Sequence, residues 1–141
     1  MSEFDPAAYN AFIGGLDLAA IELVKVSGER TVVGIATQSR FELTASYMQD
    51  DAVIYFRYEA TAHFTDDHEV VLGIVSASIQ LTARTAAAVS GAYLEQFGGT
   101  SGAFMAHPYL REVIASTAQR IGFPGVLLPM MKQQPAEGAD D

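Results

Sequence analysis

The chain has no cysteine, which excludes disulfides and thiol chemistry. It has no apolar run approaching the length of a membrane span. Its opening, Met1-Ser2-Glu3-Phe4-Asp5, is acidic where a secretory leader would be basic and then apolar. A cytoplasmic location without membrane insertion is the simplest expectation. Basic residues are few and scattered: Lys25, Arg30, Arg40, Arg57, Arg84, Arg111, Arg120 and Lys132 all stand singly. A nucleic-acid reader needs a basic stripe to neutralise phosphates, so the pattern speaks for no nucleic acid partner.

Patterns that carry chemistry are equally sparse. His63 falls on the polar side of a strand, His68 in a turn and His107 before a helix, whereas a metal site wants two or more ligands on one face. Asp50-Asp51 and Asp66-Asp67 sit in turns, where short acids bond their own backbone, and neither pair brings the further oxygen ligands of a calcium loop. There is no Gly-x-Ser-x-Gly elbow, no Gly-rich phosphate cradle before a lysine and no dinucleotide fingerprint. Arg111 and Glu112 are adjacent on a helix and so point apart. No case for an enzyme arises, and neither cofactor nor metal is expected.

What the chain has in surplus is apolar surface. Half of its 141 residues are hydrophobic and only 18% are charged, which is lean for a monomer of this size. Such a chain hides part of its surface in an oligomer or offers it to a partner. Seventeen acids against eight bases give a net charge of −9. That excess keeps a sticky protein soluble and favours basic partners, and solubility alone explains it equally well.

Asp5-Pro6 reads as a helix start, an N-cap acid followed by proline, and Gly14-Gly15 as its end. Strands are expected over 21–26, about 31–45, 53–64 and 69–83, with turns at 27–30, 49–51 and 65–68. The third has the clearest alternation: Ile54, Phe56, Tyr58, Ala60, Ala62 and Phe64 share one face, with Arg57, Glu59, Thr61 and His63 on the other. Val70-Val71-Leu72 is apolar on both faces, which places the fourth strand centrally or at an interface. Thr85 can cap a helix running to Phe97, and Gly98-Gly99-Thr100-Ser101-Gly102 reads as a flexible hinge. Pro108 suits the first turn of a longer helix, along which Leu110, Val113, Ile114, Thr117 and Ile121 recur. Gly122 stops it, and Phe123-Pro124-Gly125 leads into the apolar run Val126-Leu127-Leu128. Residues 1–132 are expected to form one unit, the first 18 being a helical extension, and 133–141 a disordered acidic tail. Strands before helices make an α+β arrangement, a sheet of neighbouring segments with both helices on one face.

The order of parts near the end resembles the C-terminal helix of the SecB family of export chaperones. It runs His107-Pro108-Tyr109-Leu110-Arg111-Glu112, about ten helical residues, then Gly122-Phe123-Pro124 and an apolar exit closed by Pro129. Arg57-Tyr58-Glu59-Ala60-Thr61-Ala62, followed by an acidic turn and a Val-rich strand, is similar to that family's central hairpin. Gly91-Ala92-Tyr93 is similar to a tripeptide near the end of its first helix. The resemblance covers roughly 21–132. It implies a SecB-like four-stranded antiparallel sheet with two C-terminal helices on one face, here with a short extra N-terminal helix. It also implies a homotetramer, a dimer of dimers with sheets joined edge to edge, that acts as an ATP-independent holdase for unfolded or precursor polypeptide clients.

Apolar side chains gather near the glycine joints: Phe97, Phe104, Met105, Tyr109, Phe123, Val126, Leu127, Leu128 and Met130. Some belong to a core. Methionine and aromatic residues beside glycines equally suit a groove that repacks around many sequences, and the resemblance implies a client-binding groove. In the export chaperones the translocase motor SecA is bound through acids on the sheet. The matching positions here fall at or near Ala20, Val24 and Gly73, none of them acidic, which speaks against SecA as a partner. The expectation moves toward SecB-like proteins that hold the antitoxin of a toxin–antitoxin pair, or a stand-alone holdase. Two other classes stay open: a small-ligand binder using Arg57, Glu59 and His63, and a structural assembly subunit.

Overall fold

The computed structural model describes residues 5–86 and 89–123. Helix α1 (Pro6–Gly14) starts as its sequence requires: Asp5 Oδ1 accepts from the Ala7 amide at 3.1 Å, and proline stands at the first helical position. Four strands follow, β1 (Asp17–Arg30), β2 (Gln38–Asp50), β3 (Val53–Thr65) and β4 (Val71–Arg84). They form one antiparallel sheet in the order β1-β4-β3-β2.

That order corrects the picture of a sheet built from neighbours alone. β2, β3 and β4 do form a meander, but β1 lies against β4. The Ser27–Arg30 segment, expected as a turn, is strand: Ser27, Gly28, Glu29 and Arg30 oppose Ser76, Val75, Ile74 and Gly73. The long backbone ladder that β4 offers outweighs the local preference of Ser-Gly for a turn. The strand expected over 31–45 is displaced in turn. Residues 31–37 are a crossover from one edge of the sheet to the other, and β2 begins only at Gln38. Three interstrand spacings amount to about 14 Å, which seven residues, reaching ~23 Å when extended, can bridge.

The crossover is tied to the strand ends beneath it. The Thr31 and Val32 amides donate to the Leu72 carbonyl, and the Thr37 amide to that of Thr65. Asp66 caps the β3–β4 turn by accepting from the His68 and Val70 amides, and these bonds, the Val70 one foremost, hold its carboxyl below the usual range. Arg30 acts as a clamp. It donates to the Gly34 and Ile121 carbonyls, each at 2.9 Å, and its guanidinium stands 4.7 Å from the Phe123 ring centroid. Phe123 in turn stacks on Phe64 at 4.9 Å, over the bare backbone of Gly73, where a methyl group would collide with its ring.

One face of the sheet carries the helices α2 (Gly91–Phe97) and α3 (Ala103–Arg120). Thr85 does not cap a helix; its amide donates to the Ala52 carbonyl at the sheet end, and Ser90 caps α2 instead. Gly98–Gly102, expected as a flexible hinge, is wound as one π-helical turn, so that α3 begins at Ala103. Pro108 therefore sits inside α3 rather than at its start. It leaves the Phe104 carbonyl without its helical donor on a side where Phe104 and Pro108 both face solvent. The reason for the wide turn lies below it. The buried Tyr58 hydroxyl donates to the Gly98 carbonyl at 2.9 Å, and a methyl group on Gly102 would strike that hydroxyl. Burial pushes the Tyr58 phenol far above its ordinary value, so the bond is that of a neutral hydroxyl.

The core matches the alternation of β3. Ile54, Phe56, Tyr58, Ala60, Ala62 and Phe64 are all buried, and pack with Val75, Ala77, Ile79 and Leu81 of β4 under Leu94, Ala106, Leu110, Ile114 and Ala118. α1 extends the helical layer through Phe12, whose ring lies edge-on to Phe97 at 6.3 Å. The tail expected from residue 133 lies outside the described residues.

The Tyr58–glycine contact makes a direct prediction. Tyr58→Phe removes the donor to a buried carbonyl and is expected to cost about 1–2 kcal/mol. Gly102→Ala overpacks the same point and is expected to cost ~1–3 kcal/mol. Urea unfolding should show both as lowered midpoints at constant slope; unchanged midpoints would remove this contact from the account.

Candidate functional site

Among the described residues β2 is an edge strand that pairs with β3 alone, and the outer side of an edge strand is a template for a further strand. Its side chains on the helical face follow from the register. Phe41, Leu43, Ala45 and Tyr47 stand beside Ala62, Ala60, Tyr58 and Phe56. Phe41 and Leu43 are half-buried against the core. Ala45, Ser46 and Tyr47 line, with Phe56, Leu94, Glu95, Gly98 and Gly99, a cleft of about 470 Å³ between β2 and the helical layer. The Tyr47 hydroxyl reaches the Gly91 carbonyl at 3.4 Å across it.

At the head of the same strand stands the crossover. Val33 is 91% exposed and Ile35 82%, with Val32 and, on the adjoining turn, Val70 also uncovered. Isolated exposed aliphatics are ordinary, but four at one end of a sheet form a patch. From Ile35 to Tyr47 the chain thus offers an apolar track about 40 Å long, interrupted by Thr37 and Ser39, at the edge of the described sheet.

Of the residues singled out from sequence, Phe97 and Phe123 are packed in the core, where the first supports Phe12 and Phe56 and the second Phe64. Phe104 and Tyr109 are each 54% exposed on α3, and Met105 is half-buried between them in sequence. Val126, Leu127, Leu128 and Met130 lie outside the described residues. Sequence reasoning missed Val33, Ile35 and Tyr47, having placed the first two inside a strand. The available signal was Val32-Val33-Gly34-Ile35-Ala36, where alternation breaks around a glycine.

The other face of the sheet is polar. Arg57 and Glu59 line a shallow cleft there, whereas His63 is not part of it and faces Glu42, Nδ1 to Oε1 3.8 Å, on the neighbouring strand. The three do not converge on one point. Among the described residues no cluster of three metal-ligating side chains occurs, and no helix is long and apolar enough to cross a membrane.

His107 is the one buried histidine, lying under the track with its ring 5.3 Å from that of Phe41. Burial holds the imidazole below its ordinary value of 6.5, and the charge of Arg111, one turn further along α3, acts in the same direction.

No protein-family model and no curated protein matches the chain. Among solved structures it is similar to the Mycobacterium tuberculosis SecB-like chaperone Rv1957, determined in complex with a ChAD peptide from the Rv1956 HigA1 antitoxin. The TM-score is 0.78 over 91% of this chain and 99% of that one, at 12% sequence identity. The chain has the SecB-like fold.

The buried His107 sets a pH dependence. Its folded-state value is depressed, so the unfolded chain binds the proton more tightly, and stability present above 6.5 is lost as pH falls through that value toward the folded one. Urea unfolding between pH 7.5 and 5 should show this fall, and His107→Gln should flatten it. An equal slope in both proteins would assign the dependence to other groups.

Proposed function

We propose that this protein is a chaperone that holds an extended segment of an unfolded polypeptide along β2 and the crossover, without ATP and without chemistry. The observation that carries the reading is the exposure of Val33 and Ile35 at the head of the strand that, among the described residues, forms the sheet edge and leads into an apolar cleft. An extended chain laid there gains backbone hydrogen bonds from β2 and places alternate side chains on the apolar track. Exchange stays fast because ordering a client costs conformational entropy against many small contacts. Phe104, Met105 and Tyr109 extend the apolar surface onto the helical layer.

Within this reading the favoured client is a dedicated partner, an antitoxin-like segment. The solved structure of similar fold holds an antitoxin peptide, and Ala20, Val24 and Gly73 provide no acidic surface for an export motor. A homotetramer fits the same picture: among the described residues β1 is the second edge, 14 residues long, with Leu18, Leu23 and Val26 exposed where a second copy would join.

The test is light scattering of a chemically unfolded client diluted into buffer with and without the protein, nucleotide omitted. Suppression of aggregation is expected, and folded protein that gives none would contradict the proposal. The Val33→Ser, Ile35→Ser double variant should unfold at an unchanged midpoint, because both side chains are already in water. Its client affinity should fall roughly tenfold, as the loss of two apolar contacts requires.

A further inference from the structure

The polar face of the sheet, opposite the helices, holds an arrangement that client holding does not use. Ser76 and Ser78 on the central strand β4 form a low floor. Taller side chains rise on either side, Lys25 from β1 and Arg57 and Glu59 from β3. The register makes the floor continuous: Ser78 lies between Lys25 and Glu59, Ser76 between Ser27 and Thr61, and Gln80 between Glu22 and Arg57. The cleft so formed measures about 370 Å³, with Val24 on its rim beside the register shift between Leu23 and Lys25. That size lies within the range of ordinary ligand sites.

Two cations meet there in a chain that has only eight. Arg57 donates through Nη2 to Gln80 Oε1 at 3.0 Å, which fixes its guanidinium, while its Nε–H is buried with no acceptor. Among the described residues no carboxylate lies within 4.0 Å of Arg57 or Lys25. Arg57 as a whole is only half-buried and its guanidinium is paired with a neutral amide, so its outer N–H groups are open to an anionic oxygen in the cleft. Hydroxyl groups complete the set: Thr61 and Ser76 bond each other at 3.2 Å, and Ser78 stands between Lys25 and Glu59, one pair along the sheet from Arg57.

We propose that this cleft is a second binding site, and that it takes a single carboxylate side chain of a polypeptide lying along β4. Lys25 and Arg57 approach the carboxylate from opposite strands, and the Ser78 hydroxyl donates to it from below. Glu59 closes a further side and repels a second carboxylate, so the site selects one acid flanked by neutral or hydroxylated residues over a polyanion. The overall charge of −9 does not forbid this, because distant charges are screened beyond about 8 Å at physiological salt while the two cations are in contact. The site faces away from the apolar track, so an acidic partner segment and an apolar client can be held together.

The test uses the full chain, isotope-labelled, titrated with acetyl-Gly-Ser-Glu-Ser-Gly-amide and with its glutamine counterpart. The glutamate peptide is expected to shift the amide resonances of Lys25, Arg57 and Ser78, with a Kd on the order of 1 mM. The glutamine peptide should bind at least tenfold more weakly. Lys25→Glu, at an exposed position, should abolish the shifts with its spectrum otherwise intact, and Arg57→Gln should weaken them. The Val33→Ser, Ile35→Ser variant should bind the peptide as the parent does, which separates this site from the client-holding surface. No shift, an equal response to both peptides, or undiminished binding by Lys25→Glu would each overturn the proposal.

Discussion

Because β1 pairs with β4, the chain has to cross the end of the central hairpin before it can form β2. Much of the surface that bears on function follows from that single constraint. The crossing residues are held at their ends by backbone bonds to Leu72 and Thr65, and in the middle by Arg30, which grips Gly34, Ile121 and the Phe123 ring at once. Nothing among the described residues covers the outer side, so Val33 and Ile35 point into water. The same path puts β1 and β2 at opposite edges of the sheet, each paired with one strand only among the described residues. A fold that ran its strands as a plain meander would also have two edges, but not an apolar bridge feeding one of them.

The helical layer decides how deep that edge is. Tyr58 carries the contact, rising from β3 to bond the Gly98 carbonyl, and Gly102 lets it come close. The π-helical turn that results sets Gly98 and Gly99 at the mouth of the cleft beside Tyr47. A side chain at Gly98 would press on the Phe56 ring, whereas Gly99 borders open space; with glycine at Gly98, Phe56 and Leu94 stay within reach of the cleft. Below the helices the two faces of β3 divide the labour. Its even residues build the core, while Arg57 and Glu59 look the other way, into a cleft of different chemistry.

The central hairpin and the α+β layering were legible in the sequence, because β3 is covered on one face only and its alternation reports that directly. The SecB-like order of four strands followed by helices was legible too, although the helix expected to start at Pro108 begins at Ala103. What escaped was decided by distant contacts. Ser27–Arg30 looks like a turn until β4 is placed beside it, and 31–37 looks like strand because Val33 and Ile35 share the parity of Phe41. The glycine run reads as a hinge because the sequence does not say that Tyr58 waits beneath it. Phe97 and Phe123, expected near a groove for their place beside glycines, are buried instead, Phe97 against Gly102 and Phe123 over the distant Gly73.

The central claim is that an extended chain lies along β2 and the crossover. Amide hydrogen exchange, with and without a saturating apolar peptide, tests it most directly, since added backbone bonds report on the strand that makes them. Slowed exchange at alternate amides of β2, together with amides of 31–37, is the result the account predicts. Binding of the peptide with protection confined to β1 or to the polar face, and none along β2, would contradict it.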